Sequence, residues 1–140
     1  MSRFFLVLVF SLVAVWRSAA EEQKFLSDEG QIIFNLPSGN IGCVYTPKGG
    51  TSYYEPEDGG PELQCDRQEP VYLRFFLRKS GKAEKFKNVG DVGCCGANNI
   101  LRYGNSWSKN GFRCASERTG LTCTRGKNGF VISRSRAVVY

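Results

Sequence analysis

The sequence predicts an all-β fold, a small disulfide-stapled β-sandwich or barrel built of short antiparallel strands and hairpins. Three observations carry that expectation. Short apolar or alternating runs recur between clusters of Gly, Pro and Asn. No segment after Ala20 sustains a helical apolar period. All six cysteines, Cys43, Cys65, Cys94, Cys95, Cys114 and Cys123, follow Ala20, an even count that reads as a disulfide framework in an exported chain.

The elements follow in order. Residues 31–36 read as a strand ended by the turn cluster Pro37-Ser38-Gly39-Asn40, and 41–45 resume extended structure. Residues 46–61 contain two Gly-Gly pairs and three Pro and read as a long exposed loop. Residues 63–67 and 71–77 are the next strands. In the latter, Val71, Leu73, Phe75 and Leu77 alternate with Tyr72, Arg74 and Phe76, which gives one fully apolar face. Residues 82–89 form a candidate partner strand across a Ser80-Gly81 turn. Residues 100–103, 112–115, 121–124, 130–133 and 137–140 complete the strands, with Asn110-Gly111 and Asn128-Gly129 as turn signals. A chain of 140 residues with 13% aromatics and 23% charged residues has enough apolar mass for one core.

The first twenty residues read as an address. Met1-Ser2-Arg3 is followed by an apolar run from Phe4 to Val15, interrupted only by Ser11, and Ser18-Ala19-Ala20 places small residues before Glu21. This is the layout of a secretory signal peptide over 1–20 cut after Ala20, leaving 21–140 as a single secreted or periplasmic β domain. As a helix the apolar run covers about 18 Å, short of a hydrocarbon core of roughly 30 Å, so no transmembrane anchor is expected.

Residues Cys114 and Cys123 flank a hairpin turning at Arg118-Thr119-Gly120, and opposed hairpin positions lie within disulfide reach. Cys43 and Cys65 flank the polar loop, which their pairing would close. Cys94 and Cys95 are uncertain thiols: a strained, reducible vicinal bridge, buried free thiols and an intermolecular bridge are all open.

Charge is unevenly divided. Residues 21–69 hold three basic and ten acidic residues, whereas 70–140 hold fourteen basic and three acidic. Either the halves interleave and neutralise each other, or a basic face awaits an anionic partner such as envelope polysaccharide or lipid headgroups; nucleic acid is not favoured. The candidate anion-binding residues are Arg113, Arg118, Arg125, Lys127, Arg134 and Arg136. Arg134 is alternatively a structural arginine paired with an acid such as Asp66. Trp107, Phe112 and Phe130 lie nearby as stacking surfaces or as core.

The chain has no His, which removes Ser-His-Asp triads, Cys-His pairs and His-ligated metals. No nucleophile-elbow or phosphate-loop motif occurs. The acidic group Glu55, Glu57, Asp58 and Glu62 lacks a calcium-loop register and reads as loop solvation rather than as a metal site or the pair of a carboxylate-based hydrolase. No enzyme, cofactor or metal is expected.

The motifs Pro37-Ser38-Gly39-Asn40-Ile41-Gly42-Cys43, Leu63-Gln64-Cys65-Asp66, Phe112-Arg113-Cys114-Ala115-Ser116, Gly120-Leu121-Thr122-Cys123 and Gly129-Phe130-Val131-Ile132-Ser133-Arg134 occur in order. Together they resemble an uncharacterised family of small exported bacterial proteins, a domain of unknown function with a Pro-Ser-Gly-Asn-Ile-x-Cys start and a Gly-Phe-x-Leu/Ile-Ser-Arg end. The resemblance implies bridges Cys43–Cys65 and Cys114–Cys123 and carries over no catalytic residue. The chain departs from the family pattern at two places. It has no Cys within 71–77, and Ala97 stands where the family has Asp, which leaves the third bridge open. The expected function is a non-enzymatic binding module for an anionic envelope component or glycan. The alternative is an inhibitor of a secreted hydrolase, a lysozyme or protease, with the acidic loop entering its cleft.

Overall fold

The computed structural model describes Ala14 and residues 20–140; the rest of the leader assigned to 1–20 lies outside the described residues. Ten strands form two antiparallel sheets, with no helix among the described residues. The first sheet is a meander of β1 (Ile32–Asn35), β2 (Ile41–Thr46), β3 (Glu62–Arg67), β4 (Leu73–Leu77) and β5 (Glu84–Phe86). The second is a meander of β6 (Ser106–Lys109), β7 (Phe112–Glu117), β8 (Gly120–Arg125), β9 (Asn128–Ile132) and β10 (Ala137–Val139). The first sheet is built from residues 32–86 and the second from 106–139. Strands β4 and β5, from the basic half, join β1–β3 of the acidic half, so Asp66 and Glu62 pair with Arg74 and Arg78 across the division, while the second sheet holds strands of the basic half alone.

Alternation decides which residues face inward. Leu73, Phe75 and Leu77 of β4 are buried while Arg74 and Phe76 are only half-buried, as period-two side chains require. Val71, expected on the same apolar face, precedes the strand and is exposed. Aromatic pairs join the layers: Phe34 to Trp107 at 5.3 Å, Tyr45 to Phe112 at 5.8 Å and Phe75 to Phe130 at 5.4 Å between ring centroids. Trp107, Phe112 and Phe130 are thus core, with no face left for a ligand to stack on.

Both expected bridges form, Cys43–Cys65 between β2 and β3 and Cys114–Cys123 between β7 and β8. Each joins directly opposed residues, with 4.1 Å between Cα atoms. The sulfurs of Cys43, Cys65 and Cys123 lie within 4.8 Å of one another, so the two bridges meet in the core. Cys94 and Cys95 are bridged to each other, in a segment without regular structure.

Some boundaries differ from the sequence expectation. Residues 100–103 form no strand; Ile100 makes one bridge to Asn35, and Leu101 is buried beneath it. The strand lies instead at β6, where Trp107 is the single large apolar residue. Asn110-Gly111 is the two-residue turn expected, with φ of 47° and 85°. Asn128-Gly129 is not a turn but the start of β9; Gly126 and Lys127 make that turn, between the opposed Arg125 and Asn128. Gly129 is needed for a different reason, because a Cβ there would strike the Cys123 carbonyl.

Candidate functional site: a basic groove among three turns

In a meander, turns separated by two strands fall at the same end of the sheet. The β7–β8 turn and the β9–β10 turn therefore share one end, and the β1–β2 turn of the facing sheet joins them there. Between these turns runs an open groove of about 690 Å³, lined by Ser38, Asn40, Tyr103, Arg118, Arg134 and Arg136 among others.

Local hydrogen bonds shape each turn. Asn40 N donates to Ser38 Oγ at 3.2 Å, and Gly39 N donates to the Leu36 carbonyl at 3.0 Å. Asn40 also clamps residue 69 through its side chain, accepting from Glu69 N at 2.8 Å and donating to the Glu69 carbonyl at 3.0 Å. In the β9–β10 turn, Ser133 Oγ accepts from Ser135 N at 3.3 Å and Arg136 N at 3.0 Å, a hydroxyl-stabilised turn. The Arg118 guanidinium lies 5.1 Å from the centre of the Tyr103 ring, within cation–π range.

Beneath the turns sits Arg67, 5% exposed. Its Nη1 donates to the Ser133 carbonyl at 2.9 Å, and its Nη2 to the Val71 carbonyl at 3.1 Å. Burial, together with the charge of Arg134, lowers its pKa from the usual arginine value, but arginine stays protonated. Its partners are neutral carbonyls, so its charge adds to the groove.

The six basic candidates split. Arg118, Arg134 and Arg136 share the groove. Arg113, Arg125 and Lys127 sit toward the other end of the second sheet, where Phe112 opposes Arg125; five residues of strand put Arg113 about 17 Å from Arg118. Arg125 turns inward, 6.0 Å from the Phe112 ring, and donates to the Gly81 carbonyl. They do not form one face. Nor does Arg134 pair with Asp66. That carboxylate is held by Arg74 at 2.8 Å and by the Tyr72 hydroxyl, on the opposite sheet. Among the described residues, no Lys or Arg of the second sheet or its turns makes an ion pair within 4.0 Å.

The acidic group is arranged otherwise than an exposed loop suggests. Glu62 lies in β3, 1% exposed, accepting from Tyr54 Oη at 2.7 Å and paired with Arg78. Burial raises its pKa, against the lowering effect of those two partners. Glu57 reaches the same arginine at 3.8 Å, and Asp58 accepts from Gly60 N at 2.9 Å. The loop is tied down, and Glu62 lies buried beneath it on the outer face of the first sheet.

A second cavity, about 190 Å³, lies on the outer face of the first sheet beside the Cys94–Cys95 bridge. Its charged groups are already committed: Arg74 binds Asp66 and, at 2.7 Å, Asp91.

Comparison of the chain with protein-family models, curated proteins and solved structures finds no match. The sequence brought Arg118, Arg134 and Arg136 forward by charge alone. It did not single out Tyr103, Asn40 or Arg67 for the site, although counting the strands between turns gives the shared end, and two of the quoted motifs terminate there.

Proposed function

We propose that this chain is an exported, non-enzymatic binding module whose groove takes an anionic envelope component or glycan. The observation that supports it is the convergence of Arg118, Arg134 and Arg136 from two turns onto one groove, free of ion pairs among the described residues. Unpaired arginines at a concave site focus a positive field and offer planar forks to oxyanions. Three disulfides fit an oxidising compartment. No helix among the described residues is long and apolar enough to cross a membrane. The leader-like residues 1–20 and the family resemblance support export from a bacterial cell.

Heparin-column chromatography tests the reading. The protein is expected to be retained at low ionic strength and released steeply by salt, because bound counterions are displaced on binding. Arg134→Ala is expected to elute earlier with an unchanged melting temperature, whereas Arg113→Ala, at the far end, elutes nearer the parent. Absence of retention at low salt removes the anion-binding reading.

A further inference from the structure

We propose that the groove selects a phosphate monoester carried on a larger body, in preference to a carboxylate or a sulfate ester. The inference rests on the anion-binding reading above and goes further by naming the ligand's chemistry.

Charge comes first. Arg118, Arg134 and Arg136 line the groove, and Arg67 lies beneath it with its guanidinium on carbonyl oxygens only. Against these four positive groups stands one acid in the lining, Glu117, whose carboxylate accepts from Thr119 Oγ1 at 3.4 Å. A monoanion leaves most of this excess uncompensated. A phosphate monoester near neutral pH brings about −1.5 to −2 charges.

Geometry points the same way. The lining arginines stand on two different turns, and a third turn adds the Ser38 hydroxyl. Donors arriving from several sides suit a tetrahedral group, whereas a planar carboxylate is met in one plane by a single fork. Size argues for something attached to the phosphate. A groove of about 690 Å³ has room for roughly twenty waters, far more than one phosphate fills. Leu36, Ile41 and the Tyr103 ring supply an apolar wall for the remainder.

The chain offers an unusually clean way to read the ligand's own ionisation. It has no His, and all six cysteines are bridged. Around the groove the charged and titratable groups are Arg67, Arg118, Arg134, Arg136, Glu117, Tyr103 and Glu69, whose backbone Asn40 clamps. None of these residue types ordinarily titrates between pH 5 and 7. A loss of affinity across that interval therefore belongs to the second ionisation of the phosphate, near pH 6.

The experiment uses four probes with the intact protein at low salt, followed by calorimetry and by amide shifts of the groove turns. The probes are glucose 6-phosphate, glucose 6-sulfate, glucuronate and inorganic phosphate. Glucose 6-phosphate is expected to bind about tenfold more tightly than the sulfate or the uronate at pH 7.5, and to fall toward them by pH 5. Arg134→Gln is expected to abolish the difference. Vesicles of phosphatidylcholine with and without phosphatidic acid identify the source of the ester: tighter binding to the acidic vesicle than to the sugar phosphate assigns a lipid, the reverse a saccharide, and either supports the proposal. Equal binding of phosphate, sulfate and uronate, or of inorganic phosphate and the sugar phosphate, overturns it while leaving a general anion groove in place. No response of the groove to any probe, with no heparin retention, removes the underlying reading as well.

Discussion

The two sheets treat charge in opposite ways. Between Ile32 and Phe86 the first sheet and its loops carry seven basic and seven acidic residues. Six of these, together with Asp91, form two networks on the outer face, Arg74 with Asp66 and Asp91, and Arg78 with Glu62, Glu84 and Glu57. Loops cover that face, so Asp66 and Glu62 are buried. Between Ser106 and Val139 the second sheet carries seven basic residues and one acid, and its outer face has no such roof. A buried ion pair is costly to leave half-made, whereas an exposed arginine without a partner contributes little to stability. Charges on the first sheet thus hold loops in place. Those on the second remain available to an outside partner.

The strongest way to break this contrast is to remove Arg74. Arg74→Ala leaves Asp66 buried with only Tyr72 and Gln64 beside it, and the expected loss is about 3 kcal/mol or more in urea unfolding. A loss below about 0.5 kcal/mol would show that the outer network is ornamental and that the sheets do not differ in kind.

Disulfides sharpen the comparison next. Replacing Cys43 and Cys65 together by Ala opens a long loop, at an expected cost of about 3 kcal/mol. The Cys94–Cys95 bridge closes almost no chain, and its sulfurs belong to half-buried residues, while the residues of the other two bridges are at most 1% exposed. A mild thiol reductant is expected to open this bridge first. Mass spectrometry after alkylation should find label on Cys94 and Cys95 alone, with the melting temperature nearly unchanged. Label appearing equally on Cys114 would contradict the burial order.

Tyr54 gives a smaller effect. Burial first, then its hydrogen bond to Glu62, pushes the phenol up to about 12. The folded pKa lies above the unfolded one, so the contribution is complete below pH 10 and is lost as pH rises from 10 to about 12. Burial and its hydrogen bond to Asp66 raise Tyr72 as well, so a phenolate absorbance titration should show late-ionising tyrosine of which Tyr54→Phe removes a part, with a stability cost of about 1 kcal/mol at neutral pH. Smallest of all, Arg118→Ala or Arg136→Ala should change unfolding free energy by less than about 0.5 kcal/mol. A larger change would make these residues part of the scaffold.

Strand alternation made most of the fold legible. Leu73, Phe75 and Leu77 announce β4, and Asn110-Gly111 announces its turn. The strand β6 escaped because Ser-Trp-Ser-Lys shows no alternation of its own; its position is set by pairing with β7 and by Trp107 packing on Phe34 and Tyr45. Residues 100–103 misled in the opposite direction, since Leu101 is buried by a loop crossing rather than by a ladder. At the site, charge alone found three of the arginines. Their meeting depends on which turns share an end, and the contribution of Arg67 depends on burial that its exposed-looking neighbours Gln68 and Glu69 conceal.

The placement of the two core bridges has a consequence for how such a protein can diversify. Each joins opposed residues in the middle of a strand pair, so neither pair can slip by one residue without breaking a covalent bond, and a slip is what would turn the buried set outward. Insertions or substitutions in the three groove turns are therefore absorbed locally, at positions where neither bridge nor core side chain is involved. The same scaffold can be retargeted by rewriting Ser38, Arg118 or Arg134 and their neighbours, as antibody loops are varied on a constant framework.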